Sequence, residues 1–210
     1  MVMDKRELFS QKLSKYLPEK GLKQVVDLIF EHRVRFKISQ VRKTKFGDYR
    51  YNPEDDSEQI SVNGNLNPYS FYFTTIHEFA HLIAFKTYGR RIAPHGEEWK
   101  HTFSILLMKG EVLHWFPIDI RPRIKAYMNN PKASTASDHD LFMALRKYDQ
   151  HQNPSDKPLY LHELKRGQIF TLNQRKFVLG EKRRTRYLCK EFHSGRDFLV
   201  SGLAEVEIIE

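Results

Sequence analysis

Two histidines four residues apart with a glutamate beside the first, His77-Glu78-Phe79-Ala80-His81, lie in a run from Phe71 to Tyr88 that contains no proline or glycine. An α-helix turns about 100° per residue, so His77 and His81 project from one face, one above the other, and can grip a single ion. Glu78 sits a further step round the helix, within reach of a water on that ion without being a ligand. Ile76, Phe79, Ala80, Leu82, Ile83 and Phe85 surround these groups, and a helix apolar nearly all round is a buried one. Burial is costly for imidazoles and a carboxylate unless they are hydrogen-bonded or ligated, so ligation accounts for them.

The third ligand sets the kind of site. The continuation His-x-x-Gly-x-x-His would need glycine at 84 and histidine at 87, where the chain has Ala84 and Thr87, and this excludes the metzincin pattern. A glutamate ligand could come from Glu97, Glu98 or Glu111. His95 is better placed: Gly89 ends the first helix, Pro94 and Gly96 hold a turn, and Glu97 opens the next helix, so His95 lies on a short return loop. Three neutral imidazoles leave a tetrahedral zinc with one open position, the arrangement of catalytic rather than structural zinc. Zinc lowers the pKa of bound water to about 7, and Glu78 is the base that would take its proton for attack on a carbonyl.

His77-Glu78-x-x-His81, then His95-Gly96 after thirteen residues and Trp99 three further on, resembles the SprT-like metalloprotease family, which includes the Spartan-type proteases. The likeness extends upstream to Ile60-Ser-Val-Asn-Gly-Asn-Leu-Asn-Pro68, a strand leading into the helix. The resemblance implies zinc on His77, His81 and His95, Glu78 as catalytic base, and protein substrates bound or crosslinked to DNA. Many relatives carry a cysteine-rich zinc ribbon after the protease domain; this sequence has the single cysteine Cys189, so no ribbon is expected.

The expected fold is α+β: a zincin-like domain over 1–150 with a buried active-site helix, then a small all-β module of SH3-like barrel type over 158–210. Residues 4–32 read as two helices split at Pro18 to Gly21, and Val34, Phe36 and Ile38 alternate with polar residues as a half-buried strand. Val41 to Arg50 reads as an exposed hairpin around a Gly47-Asp48 turn. Arg121 to Ala136, with its prolines and few large apolar residues, reads as an irregular linker, and a helix is expected from about Ser137 to Tyr148. The polar, proline-marked stretch 150–158 is the expected boundary. Beyond it five short strands follow within about fifty residues.

Thirty-five basic against 26 acidic residues give a net charge of +9, which favours polyanionic partners without naming one. Two basic clusters could hold nucleic acid: Arg42, Lys43 and Lys45, interleaved with Phe46 and Tyr49, and Lys182, Arg183, Arg184 and Arg186 on an exposed turn. Either could equally keep a strand edge soluble. DNA and a DNA-associated protein are the expected partners. The charged N-terminus, the absence of a long apolar run and the lone cysteine point to a cytoplasmic protein. Two other functions fit the same residues: a nucleic-acid-binding module whose zinc site is structural or idle, and a zinc hydrolase with another substrate. A deformylase would need a cysteine ligand before the motif, and Cys189 lies far after it.

Overall fold

In a computed structural model, which describes residues 4–42, 45–129, 131, 138–149 and 157–209, the chain forms two compact units, Met1–Gln150 and His151–Glu210. The fold is α+β in the first unit and antiparallel β in the second. No helix among the described residues is long and apolar enough to cross a membrane.

The first unit is built around one long helix. Helices α1 (Lys5–Leu13) and α2 (Glu19–His32) come first, with Pro18 at the N-cap of α2. Strands β1 (Arg35–Ser39), β2 (Gly47–Asn52) and β3 (Ser57–Asn63) then form a mixed sheet of order β1-β3-β2, with β1 parallel and β2 antiparallel to β3. Helix α3 (Pro68–Tyr88) starts where Pro68 supplies a pre-set φ and Asn67 Oδ1 accepts from the N–H groups of Tyr69 and Ser70. Gly89, with φ of 85°, ends it. Helices α2 and α4 (Glu97–Met108) and strands β2 and β3 all pack against α3, which is why its residues from Phe71 to Ala80 are buried in unbroken succession. Such a helix carries almost no solvent face, as its composition requires.

Two expectations change here. Gly47-Asp48 is not the tip of a hairpin: Gly47 begins β2, and β1 and β2 flank β3 instead of pairing with each other. Phe46 stacks on Phe142 at 6.1 Å and Tyr49 packs against Phe85 at 6.0 Å, so the aromatics of this stretch serve the core. Residues 121–129 are helix α5 (Arg121–Asn129) rather than linker. Pro122 is tolerated because it falls in the first turn, where no intrahelical N–H is needed, and Ile124 and Tyr127, three apart, face the core. A 3-10 helix (Lys109–Trp115) precedes it, and α6 (His139–Arg146) closes the unit, capped by Asp138. Asp138 lies within the stretch Ser137 to Asp140 where this helix is expected to start; Ser137, like residues 130 and 132–136 of the expected linker, lies outside the described residues.

The second unit is one six-stranded antiparallel sheet of order β4-β9-β5-β6-β7-β8: β4 (Leu159–Tyr160), β5 (Ile169–Leu172), β6 (Arg175–Arg183), β7 (Arg186–Glu191), β8 (Asp197–Ser201) and β9 (Glu205–Ile209). Leu161, Phe170, Phe177, Leu179, Cys189 and Val206 form its core. Glu191 fastens the β7–β8 turn, accepting from Arg175 Nε at 3.0 Å and from the Ser194 N–H and hydroxyl. Those bonds, Arg175 first and Ser194 next, pull its pKa down from 4.5 to about 2 against the opposing effect of burial. A carboxylate more acidic in the folded state adds stability above its unfolded pKa and loses it as pH falls. Thermal melting of Glu191→Gln should therefore lie below wild type at pH 7, with the gap closing as pH drops from 4.5 toward about 2; a gap independent of pH would show that the ionised form is not what matters.

Candidate metal centre

Helix periodicity brings the first two histidines together, and the α3–α4 loop brings the third. The Nε2 atoms of His77 and His81 are 3.3 Å apart, those of His77 and His95 3.2 Å, and those of His81 and His95 2.9 Å. Among the described residues this is the one group of three or more His, Cys, Asp or Glu side chains that could hold a metal ion. His95 reaches it from a backbone with φ of 59°, a left-handed conformation held by a tight turn in which Gly96 N–H donates to Ala93 O. Histidine tolerates that region better than most side chains, but there it is a position the fold imposes.

Trp99, on the first turn of α4, is the post around which the three imidazoles gather. Its ring centroid lies 4.6 Å from that of His77, 4.7 Å from His95 and 5.3 Å from His81. Its indole N–H points at the His77 carbonyl at 3.4 Å. Burial lowers the pKa of all three histidines; His77 is held well below the ordinary range by burial first and its two neighbours next, and His81 is brought down to about 4. At neutral pH the imidazoles are uncharged, the form that binds a metal.

Glu78, the next residue round the same helix, points toward the start of β2. The residue is 6 % exposed, and burial, then Asp48, raises the pKa of its carboxyl to about 8 against the Tyr49 N–H, Arg42 and Lys45. The Tyr49 N–H is available because Phe46 O accepts from Asn63 N, so alternate β2 residues turn their backbone groups away from β3. Gly47 makes room: a Cβ there would collide with the Glu78 carboxylate and lie 2.7 Å from Thr74 Cγ2. Gly47, the Tyr49 N–H and Asp48 escaped the sequence reading as parts of this site. The only signal was a glycine inside an otherwise side-chain-rich strand, a pattern that marks close approach as readily as a turn.

The remaining candidates are dispersed. Arg42 spends its guanidinium inside the protein, on Asn63 Oδ1 at 2.8 Å, Ser61 Oγ at 3.0 Å and Ser61 O at 3.3 Å. Lys45 pairs with Asp48 at 2.7 Å, and Lys43 lies outside the described residues. Lys182, Arg183, Arg184 and Arg186 are all exposed around the β6–β7 turn of the second unit, where Arg184 has φ of 55°. Of the alternative ligands, Glu97 binds Lys100 at 2.8 Å, and the Glu111 side chain is outside the described part.

Residues 18–109 match the SprT-like family, so the resemblance read from the motif covers α2 through the end of α4. Protein SprT of Pseudomonas fluorescens strain Pf-5 is 42 % identical over 62 residues, covering 30 % of this chain and 26 % of the relative. Protein SprT of Pseudomonas aeruginosa strain LESB58 is 42 % identical over 62 residues, covering 32 % of the relative. That of Pseudomonas fluorescens strain SBW25 is 54 % identical over 37 residues, 18 % of this chain and 20 % of the relative. The chain thus spans between a fifth and a third of these relatives. No solved structure matches it.

The purified chain should hold one divalent ion that a chelator removes. His95→Ala, which changes a loop and no helix, should weaken that binding by more than the roughly 10–100-fold typical of losing an outer hydrogen-bond partner. Unchanged metal content in this variant would hand the third place to a glutamate.

Proposed function

We propose that the chain is a zinc metalloprotease of SprT-like type that cleaves proteins bound or crosslinked to DNA. The observation that carries the reading is the convergence of three neutral imidazole nitrogens with a buried carboxyl one residue from the first of them. Nitrogens about 2.0–2.1 Å from a tetrahedral zinc lie roughly 3.3 Å from one another, and the separations of 2.9–3.3 Å suit that ion. When bound, zinc would supply a Lewis acid that acidifies water and polarises the scissile carbonyl.

The chain's own residues would do the rest. Glu78 takes a proton from the attacking water and returns it to the leaving amine. With a cation on the neighbouring histidines its carboxyl is drawn back toward the ionised form, from a metal-free pKa of about 8. The Tyr49 N–H orients the carboxylate, and Gly47 leaves it space. β2 is an edge strand whose outward backbone groups suit pairing with an extended peptide. Helix α3 packed on strands β2 and β3 supports a zincin-like layout, and the second unit's strand order supports an SH3-like module.

The DNA part rests on the family resemblance, on the net charge of +9 and on four exposed cations at one hairpin. The lone cysteine suits a reducing cytoplasm. That hairpin also favours a second reading, a nucleic-acid-binding protein with an idle metal, and one experiment separates the two. Zinc-loaded wild type and Glu78→Gln are incubated with a DNA-binding protein, with and without DNA. The variant should keep its zinc and lose about 10²–10⁴-fold in cleavage rate, and DNA should stimulate the wild type. Equal cleavage by both would remove Glu78 from the mechanism, while DNA binding without cleavage by either would favour the second reading. Gly47→Ala should also keep zinc and lower kcat, because the added methyl displaces the base and no ligand; wild-type kcat would show that the carboxyl tolerates the methyl.

A further inference from the structure

Histidines that hold a metal almost always donate their outer ring N–H to a carboxylate, a carbonyl or water, and that bond fixes the ring. Among the described residues, His77, His81 and His95 make no such bond to a protein group through Nδ1; the hydrogen-bond contacts of their rings are with one another, through Nε2. The metal-binding tautomer puts a lone pair on each Nε2, and three lone pairs converging on one point repel until a cation arrives. Something else must therefore hold the rings. The backbone of α3 fixes His77 and His81, but His95 stands on a loop, in the left-handed conformation that its turn imposes. Among the described residues the rings that pack on it are His77, His81 and Trp99. Trp99 is thus the one ring outside the ligand set that can orient it.

Its surroundings suit that task. The buried indole meets the His95 ring nearly edge-on, at 78° and 4.7 Å between centroids, and lies tilted against His77 and His81. These separations fall in the range of about 4.5–7 Å over which aromatic pairs attract. Phe103, one turn along α4, stacks on its other side at 5.0 Å and 11°, and packs in turn on Phe73 at 5.4 Å and Tyr127 at 6.0 Å. The indole therefore has no room to retreat. Its N–H is aimed at the His77 carbonyl, which spends one lone pair inside the helix and keeps the other. One side chain thereby touches both ligands of the helix, the ligand of the loop and the backbone of the turn between the first two.

We infer that Trp99 is the positioning residue of the metal centre, holding the loop histidine in register with the helical pair in place of an outer hydrogen bond. The inference rests on the metal-binding half of the reading above and does not need the protease half. Orientation by an indole also has a chemical consequence. A carboxylate behind a ligating imidazole makes it more basic, whereas an indole adds no charge, so the site leaves a bound ion more of its Lewis acidity.

The test reads metal binding itself. Zn2+ affinity, by competition with a chromophoric chelator, and the visible spectrum of the Co2+-loaded protein are measured for the whole chain as wild type, Trp99→Leu, Trp99→Phe and Phe71→Leu. Phe71 is buried on the same helix as His77 and His81 but packs on Tyr16 and Phe36, so its variant reports the loss of a core ring away from the cluster. Trp99→Leu should weaken zinc by about 10–100-fold, the scale of losing an orienting outer partner, and alter the Co2+ spectrum. Trp99→Phe, which keeps a ring, should retain the wild-type spectrum and most of the affinity, while Phe71→Leu should melt lower and bind zinc as wild type does. Wild-type affinity in Trp99→Leu would overturn the inference, as would equal weakening in Phe71→Leu or in Trp99→Phe. A further measurement needs no folded Trp99→Leu: in Trp115→Phe, where Trp99 is the one tryptophan left, an equivalent of Co2+ should quench the emission strongly, and unchanged emission at full occupancy would overturn the inference. Failure of wild type to bind either ion would remove the metal centre and the inference together. The expected ranking with no cleavage of any protein would leave the inference standing and overturn the protease reading alone.

Discussion

Burial of polar chemistry on a single helix is the constraint from which the first unit follows. His77 and Glu78 are each less than a tenth exposed on a helix packed on nearly every side. Leaving a charge unpaired in such a place costs about several kcal/mol, and the structure meets this cost in two ways. The imidazoles are held neutral by burial itself, and the carboxyl receives the one β2 N–H aimed at it. The helix start is equally well tied: beyond capping α3, Asn67 Nδ2 donates to Leu145 O at 2.9 Å and to Asp149 Oδ1 at 2.6 Å. α6 is thereby anchored beside the helix that carries the site.

The same logic explains why β2 sits where it does. An edge strand normally shows its spare N–H and C=O groups to water; here one is consumed by Glu78, and a glycine lets the two backbones approach. Arg42 holds the entry to this strand by bonding Ser61 and Asn63 of β3, while the Asn63 amide donates back to Arg42 O at 3.0 Å and Lys45 O at 3.1 Å. At the far end of β2, Arg90 donates to the Tyr51 hydroxyl at 2.8 Å and stacks over its ring at 4.7 Å. Arg90 belongs to the loop that carries His95, so the third imidazole and the base are positioned from opposite ends of one strand.

What could be read from sequence was whatever periodicity or chain-breaking residues encode. The uninterrupted apolar run gave α3, Gly89 its end, and Pro94 with Gly96 the loop that presents His95. Less legible were features defined by what a residue meets across the fold. Gly47 reads as a turn because sequence cannot distinguish a glycine needed for its φ from one needed for its missing Cβ, and its partner Glu78 lies thirty-one positions on. Pro122 hid α5 because proline forbids helix interiors but not first turns. The gathering of three imidazoles around Trp99 had a faint signal in its spacing from His95, but nothing in a helix pattern says that one indole touches three rings.

Charge was the least informative part of the sequence, for a physical reason. Arg42 and Lys45 look like a nucleic-acid patch when counted along the chain, yet one ties a strand together and the other pairs with Asp48, lowering the pKa of that carboxyl together with Arg50. A cation whose donors are already engaged can meet a phosphate only by breaking those bonds, whereas the cations of the β6–β7 turn are exposed, with Glu181 3.9 Å from Arg183 and the Tyr187 ring 6.0 Å from Lys182. Net charge therefore weights both clusters equally, although the donors of Arg42 and Lys45 are engaged within the fold and those of the β6–β7 turn are exposed. Arg42 is better understood as part of the frame that holds Glu78 in place.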